Sequence, residues 1–150
     1  MERMSAKDLM HPRVSLTAKL KGEELVEKMM CSYPGLPVVN DNLEVIGIVS
    51  DTDVMSALQQ KRTVHEFSAE SLMTCGHSDH GACGKPVTVS PDASLEDLVD
   101  LFYNNSSSLS VLPVVKNKQL VGIISKKNII YALAERGMIP EHEMQKRVPK

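Results

Sequence analysis

The sequence predicts an α+β protein made of two similar halves packed face to face with pseudo-twofold symmetry, each half ordered strand, helix, strand, strand, helix. Three observations predict it. The run Leu-Pro-Val-Val occurs twice, at Leu36-Pro37-Val38-Val39 and at Leu112-Pro113-Val114-Val115. A polar turn follows each run, and then a second apolar run with one interior glycine: Val45-Ile46-Gly47-Ile48-Val49 and Leu120-Val121-Gly122-Ile123-Ile124. Each second run ends in a serine, Ser50 or Ser125, that opens a helical pattern. Paired apolar runs joined by a turn read as hairpins, and a glycine inside a strand marks a close approach to the backbone. Recurrence with matching flanks is the mark of a duplicated structural unit.

Ser5 to Met10 reads as a short helical turn, with Ser5 and Asp8 spaced as a capping box. Val14 to Thr17 reads as a short strand. From Glu23 to Cys31, Leu25, Val26, Met29 and Met30 recur at helical spacing, which predicts a helix with those residues in the core. Tyr33-Pro34-Gly35 breaks it. The turn of the first hairpin, Asn40-Asp41-Asn42, carries residues that tolerate left-handed backbone. Asp51 to Lys61 then predicts a helix burying Val54, Met55 and Leu58. The order repeats. Ser71-Leu72-Met73 parallels Asp8-Leu9-Met10, and Val87-Thr88-Val89-Ser90 parallels Val14-Ser15-Leu16-Thr17. Ser94 and Asp97 form another capping box, opening a helix with Leu95, Leu98, Val99 and Phe102 on one face. The spacing between copies grows near Ser106-Ser107-Ser108 and shrinks in the second hairpin turn, so insertions and deletions fall in loops. The last helix runs from Lys126 to Arg136 and stops at Gly137, with Pro140 beyond. The expected organisation is a first repeat over 1–65, a second over 66–140 with an inserted loop at 74–85, and a tail over 141–150.

Composition narrows the function. At 150 residues, two copies of a unit too small to be stable alone can bury their faces on each other. A net charge of −2 without a dominant basic run argues against nucleic acid, and with no Trp, two Phe and three Tyr the stacking platforms of single-strand binders are missing. No apolar run approaches the roughly 20 residues needed to span a bilayer. Three cysteines do not make a disulfide framework, and Met1-Glu2-Arg3-Met4-Ser5 has no hydrophobic leader, so the expected compartment is a reducing cytoplasm.

The strand-to-helix junctions hold the candidate chemistry. Amide groups at a helix start lack intrahelical partners, and the helix dipole adds positive potential there, so both junctions are candidate anion sites. Their charges differ. Ser50-Asp51-Thr52-Asp53 carries two carboxylates, which repel phosphate and favour hydroxyls or a cation. Ser125-Lys126-Lys127-Asn128 carries two ammonium groups, which attract phosphate. Ser50-x-x-Asp53 also fits a plain capping box that needs no ligand, and the two roles can coexist.

The strand order, the Leu-Pro-Val-Val strand and the Gly-x-x-Ser-x-x-Asp/Asn junction resemble the cystathionine-β-synthase (CBS) domain family, and the tandem arrangement resembles a CBS pair, or Bateman module. The resemblance runs from Lys7 to Arg136. It implies a regulatory module whose cleft binds an adenosine-containing ligand such as AMP, ADP, ATP, S-adenosylmethionine or NAD. It also implies a homodimer that signals to a regulated partner protein. Asp53 matches the family's ribose-binding acid and Ser50 the helix-start hydroxyl near phosphate. Asn128 stands in place of the second acid, while Ser125 keeps the hydroxyl. Ser15 and Thr88 match the early-strand contacts to the base. Pro37 and Pro113, with Leu36 and Leu112, match apolar walls of the cleft. The alternative is a dimerisation or docking scaffold without ligand, or a sensor of Mg²⁺ through the acidic junction.

Between Met73 and Val87 the second copy carries an insert with Cys75, His77, His80 and Cys83, two thiolates and two imidazoles of the kind that bind zinc tetrahedrally. A solvated glycine-rich loop with incidental Cys and His is the competing reading. No phosphate-binding loop, nucleophile elbow or dinucleotide glycine motif is present, so an enzyme is not expected.

Overall fold

The repeated runs fold as two hairpins in separate sheets, and each sheet recruits a piece of the other half. A computed structural model describes residues 4–30, 33–74, 86–104 and 109–135. Among these, the strands are β1 (His11–Pro12), β2 (Leu16–Thr17), β3 (Gly35–Val39), β4 (Val45–Ser50), β5 (Val111–Lys116) and β6 (Gln119–Ser125). The helices are α1 (Ala6–Leu9), α2 (Gly22–Met29), α3 (Asp51–Gln59), α4 (Ala69–Leu72), α5 (Leu95–Asn104) and α6 (Lys126–Glu135), with a 3₁₀ turn at Val64–Glu66. One sheet has the order β2-β3-β4 and the other β1-β6-β5. This is the expected mixed α+β architecture in two repeats. β2 lies parallel to β3, pairing Leu16 with Val38, and Val89 forms the equivalent parallel bridge to Val114.

The exchanged pieces are short leading segments. β1 pairs with β6, His11 opposite Ile123 and Pro12 opposite Gly122. Thr74 bridges Ile48 in β4 through two backbone hydrogen bonds of 2.8 Å. The helical turns before them cross over as well. Met4, Ala6 and Leu9 share a core with Leu95, Leu98, Phe102, Leu112, Ile124 and Ile129 of the second repeat. Phe67, Ala69 and Leu72 share a core with Leu16, Leu25, Leu36 and Val49 of the first. The anchoring hydrogen bonds repeat position for position. Ala6 N–H donates to the Ala93 carbonyl and Lys7 N–H to the Pro91 carbonyl, as Ala69 N–H does to Leu20 and Glu70 N–H to Ala18. The sequence copies and the packed bodies therefore do not share boundaries: residues 4–12 complete the second body and residues 67–74 the first.

The interior glycines are explained by these segments. A Cβ on Gly122 would lie 2.5 Å from the Met10 Sδ and 2.7 Å from the His11 carbonyl oxygen. A Cβ on Gly47 would lie 2.7 Å from the Met73 Sδ. What comes close to each glycine is a methionine of the exchanged segment.

Three local expectations change. Met55 and Leu58 are exposed on α3, which buries Ala57 instead. Met30 and Val99 also face outward, while Leu25, Leu98 and Phe102 are buried. In a short helix with apolar residues on a wide arc, periodicity cannot tell which edge of the arc meets the core. The left-handed residue of the first hairpin is Leu43 (φ 64°), not the Asn-Asp-Asn run before it. Asn40 spends its side-chain oxygen on the amides of Asn42 and Glu44, at 2.9 Å each. Leu43 is held by packing on the first core and by its carbonyl, which accepts from Leu120 N–H at 2.9 Å.

Overpacking a tight contact costs about 1–3 kcal/mol, and a backbone obstacle yields less than a side chain. Gly122→Ala, which meets the His11 carbonyl, is therefore expected to lower stability by about that amount. Gly47→Ala, whose three nearest obstacles are all Met73 side-chain atoms, is expected to cost less. Urea unfolding of the two variants checks the order.

Candidate paired strand-to-helix junctions

Both junctions form because β4 and β6 run directly into α3 and α6 with an extended serine at the cap. Ser50 has φ −108° and ψ 168°. Its N–H donates to Asp53 Oδ2 at 2.8 Å and its hydroxyl donates to the same oxygen at 3.0 Å, while Asp53 N–H donates to Ser50 Oγ at 3.3 Å. The second junction copies the geometry with an amide. Ser125 N–H donates to Asn128 Oδ1 at 2.7 Å, and Asn128 N–H donates to Ser125 Oγ at 3.3 Å. Both are reciprocal capping boxes. Where Asp53 has a second carboxylate oxygen, Asn128 presents an Nδ2 donor.

The junctions differ in the side chain that follows the cap. At α3 each first-turn amide has an internal acceptor. Asp51 N–H bonds the Pro34 carbonyl at 3.2 Å, Thr52 N–H bonds Asp51 Oδ1 at 2.9 Å, and Asp53 N–H bonds Ser50 Oγ. The expectation of outward-pointing free amides is thus corrected for this junction: the acidic side chain next to the cap takes the donor that an anion would use. At α6 the position corresponding to Asp51 is Lys126, whose ammonium is a donor and cannot accept an amide as the Asp51 carboxylate does. Lys126 and Lys127 are both exposed there, and Ser125 is 6% exposed.

One seam brings the junctions together. Ser50 lies across its hairpin from Gly35, and Ser125 lies across its own from Val111. The starts of β3 and β5 meet so closely that a Cβ on Gly35 would be 2.6 Å from Ser110 Oγ. That hydroxyl is buried and has no hydrogen-bond partner among the described residues. Ser15 and Thr88 precede the parallel pairs Leu16–Val38 and Val89–Val114, which sets them beside Pro37 and Pro113. Ser15 is half-buried and Thr88 exposed. Leu36 and Leu112 are fully buried in the two cores, so they back the junctions from within and do not wall an open cleft. Pro37 and Pro113 are likewise buried.

Two features lie apart from the seam. A depression of about 420 Å³ between α5 and the bridge residue Val89 is lined by Ser90, Ala93, Asp97 and Asp100, among others, and contains no junction residue. The first repeat has the longer Leu20, Glu24 and Glu27 at the equivalent positions. Cys75, His77, His80 and Cys83 lie outside the described residues. Among the described ones no group of three His, Cys, Asp or Glu side chains is placed to hold a metal, and no helix is long and apolar enough to cross a membrane.

A carboxylate in a first helical turn gains about 0.3–1 kcal/mol from the helix dipole at low salt. Asn128→Asp should keep the cap and raise stability by that amount, and Asp53→Asn should lose a similar amount. Urea unfolding at low and high salt checks both, since the difference should shrink as salt screens it.

Comparison with known proteins agrees with this architecture. The CBS domain family model matches residues 6–60 and again 82–135. Two uncharacterized proteins are each 30% identical: MJ1404 of Methanocaldococcus jannaschii over 115 residues, and YlbB of Bacillus subtilis over 105. The matches take in 73% and 69% of this chain but 27% and 63% of those proteins, so the chain spans less than two thirds of either. Among solved structures, the CBS-pair protein CBSX2 of Arabidopsis thaliana is 25% identical, with a TM-score of 0.67 over 92% of this chain and 99% of that one. Another CBSX2 structure, in complex with AMP, is 24% identical, with a TM-score of 0.69 over 89% of this chain and 98% of that one. Hypoxic Response Protein I, a structure with two coordinated zinc ions, shares the fold at 19% identity, with a TM-score of 0.69 over 85% of this chain and 98% of that one. With the family model matched once in each half, the paired junctions and the duplicated hairpins have one source: the chain belongs to the CBS domain family, as a tandem CBS pair.

Proposed function

We propose that the chain is a regulatory module that binds an adenosine-containing ligand between its repeats and passes that occupancy to a partner protein. The observation that carries this reading is the unequal pair of junctions on one seam. The Ser50 junction has its amides satisfied and presents carboxylates, which suits it to sugar hydroxyls. The Ser125 junction presents a buried hydroxyl, an amide donor and two lysines, which suits it to phosphate. A ligand with a ribose at one end and phosphate at the other matches that division, with Ser15 and Thr88 beside the strands that would flank its base. The AMP held by CBSX2, a protein of the same fold, supports the ligand class. No step of this reading requires catalysis.

Hydrogen bonds to charged groups contribute about 1.5–3 kcal/mol each. Calorimetry should therefore show AMP and ATP binding more tightly than adenosine, and Lys126→Ala/Lys127→Ala should cut that preference by about tenfold or more while sparing adenosine. An unchanged preference would remove phosphate from this junction. Thermal shift with AMP, ATP, S-adenosylmethionine, NAD and Mg²⁺ sorts the ligand class; a rise with Mg²⁺ alone would favour the cation reading instead.

A homodimer is supported by a second observation. Among the described residues, four of the six exposed large apolar side chains form repeat-related pairs, Met30 with Tyr103 and Met55 with Ile130, on or at the end of helices of both halves. A surface with internal twofold character fits a second copy around a twofold axis. Tyr103→Glu combined with Ile130→Glu should lower the sedimentation mass from dimer to monomer without loss of helical signal.

A further inference from the structure

The exchanged segments do more than fill cores, because each one grips the strand and helix that meet at a junction. α1 packs against both β6 and α6, and β1 adds a strand pair to β6, so residues 4–12 embrace the unit whose corner is Ser125. α4 packs against both β4 and α3, and Thr74 bridges β4, so residues 67–74 embrace the unit whose corner is Ser50. The plugs sit close to the corners: Met10 covers Gly122 and Met73 covers Gly47, in each case three residues before the capping serine. Each junction is thus held by a segment that belongs, in sequence, to the other repeat.

We infer that the two segments act as clasps that read the junctions: residues 4–12 are coupled to the Ser125 junction and residues 67–74 to the Ser50 junction, crosswise. Anything that orders a junction tightens its clasp, and release of a clasp loosens its junction. The physical basis is that strand, helix and clasp share one core, so the strand-to-helix corner cannot shift while the methionine stays seated on the glycine. Local opening equilibria couple elements that share a core. The inference rests on the nucleotide reading only for what occupies the junctions; the crosswise coupling is a property of the chain itself.

Hydrogen exchange on the whole chain tests it. Met10→Ala removes the plug from Gly122 without adding an atom. It should speed exchange at residues 6–12 and also at Ser125 to Asn128 by roughly tenfold, leaving Ser50 to Asp53 unchanged. Met73→Ala should do the mirror image. Should Met10→Ala prove too mild to move its own clasp, Gly122→Ala expels it by collision. Acceleration of a clasp without its junction, or equal acceleration of both junctions by either variant, would overturn the inference. In the unaltered protein, AMP that binds by calorimetry should slow exchange at both clasps. Binding without that slowing counts against the coupling and spares the nucleotide reading. Failure of AMP to bind counts against the nucleotide reading, and the variant comparison still decides the coupling.

Discussion

The constraint on which the structure depends is the contact between a methionine thioether and a strand with no side chain to meet it. Met10 over Gly122 and Met73 over Gly47 let a leading segment lie flat against the opposite sheet. A strand of two or three residues has little stability of its own. Here it is held because the helical turn before it inserts apolar residues into a core that lacks them. Without Phe67, Ala69 and Leu72 the first core would be open on one side, and without Met4, Ala6 and Leu9 the second would be. The duplication is therefore stable as an exchange, with each half supplying what the other cannot make.

The same exchange fixes the junctions. A capping box satisfies the start of a helix, and a helix start is also where an anion is favoured, so one set of atoms can support both roles. Which role dominates depends on the neighbours. Asp51 accepts the Thr52 amide at the first junction, whereas its counterpart at the second, Lys126, carries an ammonium that cannot play that part. Two copies with one backbone geometry have come to present opposite charge, and the contact between Gly35 and Ser110 holds them on one seam.

The helices show the limit of periodicity. The buried positions Leu25 and Leu98 are equivalent in the two copies and were legible from spacing. Met30, Met55, Leu58 and Val99 satisfy the same spacing yet face outward. A hydrophobic arc records that a residue is apolar, and what covers it is decided by neighbours that come from elsewhere in the chain. The first hairpin makes the same point about turns. Asn40 engages its own backbone through its side chain, and the positive φ passes to Leu43, which the other repeat holds in place.

The duplication, the two hairpins, the serine at each strand end and the unequal charge beside it are legible in the sequence, because these depend on residue type and short-range spacing. The sequence also marks Gly47 and Gly122 as places of close approach. What approaches them, the trading of leading segments and the inward facing of Leu36 and Leu112 emerge only once the chain is folded. The reason is range. β1 finds its partner more than a hundred residues away, and no local pattern in His11-Pro12 distinguishes that pairing from a loop.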